Sequence, residues 1–85
     1  MDGARQLLEW IAADQARIIG FLQDFTRIDT SNPPGDTRAG AALVAKFLQD
    51  NGLAFRTVAP KEDNPNLVAS VAGPAPQKHL VLNGH

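Results

Sequence analysis

The stretch Lys78-His79-Leu80-Val81-Leu82-Asn83-Gly84-His85 places the tightest limit on what this chain can fold into. Leu80-Val81-Leu82 is apolar without alternation, the pattern of a strand buried on both faces in the middle of an α/β sheet. Asn83-Gly84 would stop such a strand, and His85 follows it. Open α/β sheets bind ligands beyond the carboxyl ends of their strands, so His85 falls where a functional side chain is expected. An interior strand rarely makes a natural C-terminus, because termini lie at surfaces. The expectation is therefore that more polypeptide follows.

Length agrees with that expectation. Eighty-five residues make one small domain at most, or part of a larger one, and so short a chain buries only a modest share of its surface. There is no cysteine, so neither a disulfide nor a cysteine zinc site can staple the fold. Eight basic and nine acidic residues nearly cancel, and no basic run stands out, which argues against nucleic acid as a partner. No apolar stretch approaches a membrane span. Met1-Asp2-Gly3-Ala4-Arg5 is not followed by a continuous apolar block, since Asp14 and Arg17 interrupt it. No signal peptide is expected, and a cytoplasmic location follows as the default.

From about Arg5 to Asp29 the chain reads as helical. Leu7, Ile11, Ile18, Leu22, Phe25 and Asp29 follow helical spacing, with Ile28 beside the stripe. Asp14 breaks the pattern and is suited to cap a fresh helix from Gln15. Gly20, inside that second piece, costs about 1 kcal/mol relative to alanine; it reads as a tolerated surface glycine, with a close backbone approach as the alternative. Thr30-Ser31-Asn32-Pro33-Pro34-Gly35 then ends the helix. Pro33 pushes Asn32 away from helical angles, and Pro34-Gly35 suits the centre of a type II turn. The loop is either a stiff connector or the rim of an active site.

Asp36 or Thr37 can cap the next helix. Its stripe is Gly40, Leu43, Val44, Phe47 and Leu48, and Asn51-Gly52 closes it with Leu53 packing back. Leu53 to Ala59 reads as a strand, Pro60 to Pro65 as a polar loop, and Asn66 to Ala72 as a second strand. Gly73 to Gln77 makes a turn before the final strand. Two helices and three strands, one of them buried on both faces, predict an α/β fold with a sheet covered by helices.

In this order the residues resemble a family. An N-terminal helix, Ser31-Asn32-Pro33-Pro34-Gly35, a second helix closing on glycine, Asn66-Leu67-Val68-Ala69, and Leu80-Val81-Leu82-Asn83-Gly84-His85 are together similar to the start of the acetylornithine deacetylase, succinyl-diaminopimelate desuccinylase and aminoacylase family. The likeness spans nearly the whole chain from about Asp14. It implies a zinc-exopeptidase-like mixed sheet flanked by helices, of which residues 1–85 are the N-terminal portion of the catalytic domain. The activity it implies is metal-dependent hydrolysis of amide bonds in N-acyl amino acids or small peptides. Two zinc ions per full-length subunit are implied, with cobalt or manganese as substitutes, and a homodimer as a possible assembly. In that family the strand ends in a His-x-Asp motif whose histidine binds zinc. Carried over, only that histidine has a match here, His85. The remaining ligands, the general base and the lid or dimerisation domain would lie outside these residues, so none of the 85 is assigned a catalytic role.

The chemistry explains why one imidazole is insufficient. A hydrolytic zinc needs about three protein ligands plus an open position, a carboxylate to accept the proton and a partner to fix the histidine ring. The chain alone is therefore expected to be inactive. His79 stands at the other end of the same strand, about 20 Å away if the strand is extended, and reads as a polar flanking residue. Asp29, Thr30 and Ser31 are better explained by helix termination than by a nucleophile site. Asp36 and Asp63 read as cap and loop residues. Leu7, Trp10 and Ile11 form an apolar cluster, either core or partner contact. Two rivals stand beside the hydrolase reading. One is a small non-enzymatic α+β interaction module. The other, a nucleotide-binding domain, needs a glycine-rich strand-to-helix turn that is missing.

Overall fold

A computed structural model describes residues 2–74 and 78–85. The order of elements is α1 (Asp2–Ala13), α2 (Gln15–Thr26), α3 (Arg38–Asp50), β1 (Phe55–Val58) and β2 (Asn66–Ala69). The described residues thus make a small α+β arrangement of three helices and one two-stranded antiparallel sheet.

The first helical run divides at Asp14, as its sequence suggests, although the break is slight. Asp14 N–H still donates to Trp10 O at 3.0 Å, and Ile18 N–H to Asp14 O at 3.0 Å. The Asp14 carboxylate does not cap the new helix. It pairs instead with Arg17 at 3.3 Å, an exposed contact of little energetic weight. Helix α2 stops three residues short of Asp29. The Asp29 carboxylate then accepts from both the Ser31 N–H at 3.0 Å and the Ser31 hydroxyl at 2.6 Å, an Asx turn that turns the backbone away from the helix.

Helix α3 forms where its stripe predicts. Its end is a Schellman motif, in which Leu53 N–H donates to Leu48 O at 2.9 Å and Gly52 N–H to Gln49 O at 3.0 Å. Gly52 adopts the left-handed φ of 68° that this motif demands. Helix α2 meets α3 through aromatic rings. Phe21 sits edge-on to Phe47 with centroids 5.1 Å apart and stacks on Phe25 at 6.3 Å. Gly40 lies against Phe25 and Thr30 and is the one buried residue among those described. A Cβ there would stand 3.4 Å from Phe25 Cε1 and 3.7 Å from Thr30 Cγ2. Gly20, by contrast, has open space around it.

Strands β1 and β2 pair with Phe55 opposite Ala69, Arg56 opposite Val68, Thr57 opposite Leu67 and Val58 opposite Asn66. Alternation puts Phe55, Thr57, Leu67 and Ala69 on one face. Thr57 and Leu67 line a groove shared with Ala41, Ala42 and Ala45 of α3, so that is the face the helix covers. Arg56 and Val68, on the other face, are exposed.

The final stretch departs from expectation. Residues 78–85 form no strand, and Leu80, Val81 and Leu82 are 85%, 82% and 86% exposed. The expected interior strand and the mixed sheet around it are therefore not seen among the described residues. The physical reason is pairing: an interior strand needs a hydrogen-bonded neighbour on each side, and the described ladder contains only β1 and β2. The expected turn over Gly73 to Gln77 lies partly outside the described residues.

A hydrophobic core is also missing among the described residues, where no apolar side chain is buried. The accessible surface is 7683 Å², whereas a folded monomer of this mass exposes about 4,900 Å². The radius of gyration is 15.4 Å, against about 12 Å for a compact domain of equal length. Helices and strands have formed here without the burial that normally holds them together.

Candidate functional site

His85 and the Leu80–Leu82 run that should deliver it are exposed, and neither belongs to a regular element. Among the described residues, no group of three or more His, Cys, Asp or Glu side chains lies together in a way that could hold a metal ion. These residues do not by themselves fit a hydrolytic zinc, which calls for three donors where His85 offers one. His79, on the same stretch, is likewise exposed.

The polar contacts the structure does build lie elsewhere, where the Pro33-Pro34-Gly35 loop meets the β1–β2 connection. Gly35 takes a φ of 72°, the positive value its turn calls for. Its N–H reaches back to Ser31 O at 2.9 Å, which closes a wider turn than the type II turn its sequence suggests. The peptide bonds before Pro33 and Pro34 are both cis. Asn64 then donates from Nδ2 to Gly35 O at 2.6 Å, in a part-buried position. Thr37 N–H donates to Asp63 O at 2.9 Å. Thr37 occupies the N-cap position of α3 but its hydroxyl does not cap the helix; it lies 3.4 Å from Asp63 O, at the limit of a hydrogen bond.

Asp36 does part of the capping work. Its Oδ1 accepts from Arg38 N–H at 3.0 Å, while the Arg38 guanidinium grips the carboxylate through Nε and Nη2, the shortest contact being 2.6 Å. Arg38 Nη2 is also 3.6 Å from Asp63 Oδ1. The side-chain hydrogen bond from Arg38, backed by the Arg38 N–H, lowers the Asp36 pKa from 3.8 to about 2. The same contact raises the pKa of Arg38. Asp29 is also held below 3.8, first by the Ser31 hydroxyl and then by the Ser31 N–H.

Chemically, this cluster is a clasp between two loops. Its carboxylate is already matched by its own guanidinium, and its donors are spent on backbone oxygens. The reading of Asp36 as a cap and Asp63 as a loop residue stands, but it missed that Arg38 and Asn64 bind the two loops together. The only local hint was the Asp36-x-Arg38 spacing; nothing nearby in sequence announces a contact across 26 to 29 positions. Beside the clasp, the α3–sheet groove is bounded by Arg38, Pro65, Thr57 and Leu67 and has a volume of about 190 Å³. That is below the 300 Å³ or so at which small-molecule sites begin.

Compared with protein-family models, with curated proteins and with solved structures, the chain matches none of them.

Proposed function

We propose that these residues are the front part of a metal-dependent hydrolase that cleaves amide bonds in N-acyl amino acids or small peptides. His85 is the one metal ligand we assign, zinc the metal we favour, and a homodimer the assembly we would test. The zinc-exopeptidase-like sheet belongs to this proposal too. The reading is supported by the ordered set Ser31–Gly35, Asn66–Ala69 and Leu80–His85. The observation that carries it is that ordered set, in the sequence order the family uses. The exposed Leu80, Val81 and Leu82 agree with a strand whose neighbours are absent.

The experiment begins with the coding sequence beyond His85. An aspartate two codons on, and a Glu-Glu pair some tens of codons later, are expected. The longer product should carry zinc by elemental analysis and hydrolyse N-acyl amino acids, and His85→Ala should lower its bound metal. The 85-residue chain alone should retain no stoichiometric zinc after dialysis. A stop codon directly after His85, or undiminished metal in the His85→Ala protein, would overturn the proposal.

A non-enzymatic α+β interaction module is the second reading, and the exposure of Leu7, Trp10 and Ile11 favours it. It expects a monodisperse, cooperatively folded 85-residue protein whose partner binding is lost in Trp10→Ala.

A further inference from the structure

We draw no further inference here: the strongest candidate, the exposed apolar face of α1 and α2 formed by Leu7, Leu8, Ile11, Ile18, Ile19 and Leu22, carries nothing because nothing in the structure shows what covers it.

Discussion

Asp36 and Arg38 are the residues whose chemistry is most altered by the fold. The Asp36 carboxyl titrates at about 2 rather than 3.8, so the pair's contribution is fully present above pH 3.8 and is lost as pH falls through 2. We expect a carboxyl-carbon NMR titration to place Asp36 near 2, and Arg38→Ala to return it toward the ordinary aspartate range. A midpoint unchanged by that substitution would show that the guanidinium is not the cause. Gly40 offers a steric test. Alanine meets Phe25 at ordinary contact distance and gains helix propensity, so Gly40→Ala should keep the Phe21–Phe47 contact. A leucine there has no room, and Gly40→Leu should weaken the Phe21–Phe47 cross-peaks in a nuclear Overhauser spectrum. Gly52 demands positive φ, and Gly52→Ala should cost about 1–2 kcal/mol and fray the last turn of α3.

Among the elements, helices were the most legible. Leu43, Val44, Phe47 and Leu48 at helical spacing, with Gly52 as the stop, locate α3 almost to the residue. Asp14 marks the α1–α2 break because one polar residue interrupts a repeating stripe. Both short strands fall inside their expected ranges, though β1 starts at Phe55 rather than Leu53 and β2 stops at Ala69 rather than Ala72. Strand length depends on what a partner strand offers, and that is not written locally. The same reason accounts for Leu80-Val81-Leu82, whose composition suits a strand but whose pairing requires neighbours that the described residues do not supply. At the candidate site, His85 was singled out by its place after an apolar run, while the Asn64–Gly35 and Thr37–Asp63 bonds were invisible because their partners are far apart in sequence. Two tests belong to this scale. Gly20→Ala, with open space around the new methyl, should strengthen α2 by about 1 kcal/mol and raise the helical circular dichroism signal. Asn64→Ala should cost about 0.5–1.5 kcal/mol by removing a part-buried hydrogen bond, and amide exchange at Gly35 and Thr37 should quicken while that in α2 does not.

For the whole molecule, the governing quantity is unburied surface. The 7683 Å² exposed here exceeds the value for a folded monomer of this mass by roughly 2,800 Å². An excess of that size is comparable to one side of a large permanent interface. Among the described residues, α2 and α3 meet at the Phe21–Phe47 and Gly40–Phe25 contacts and α3 meets the sheet beside Thr57 and Leu67, which is too little packing to make unfolding all-or-none. We expect the 85-residue chain to melt over a broad temperature range, to bind an apolar dye and to be poorly soluble. A single sharp transition in a monomer, with calorimetric and van't Hoff enthalpies equal, would contradict this. No helix among the described residues is long and apolar enough to cross a membrane.

The Asn64–Gly35 and Thr37–Asp63 bonds also bear on the order of assembly. They tie positions fewer than thirty residues apart into a ring that encloses α3 and β1. The entropy cost of closing such a ring grows only with the logarithm of its length. A nascent chain whose Asn64 and Pro65 have emerged has therefore released everything this ring needs, before Leu80 to His85 emerges. Nascent chains arrested just past that point should already protect the Gly35 and Thr37 amides, and those arrested before Asp63 should not.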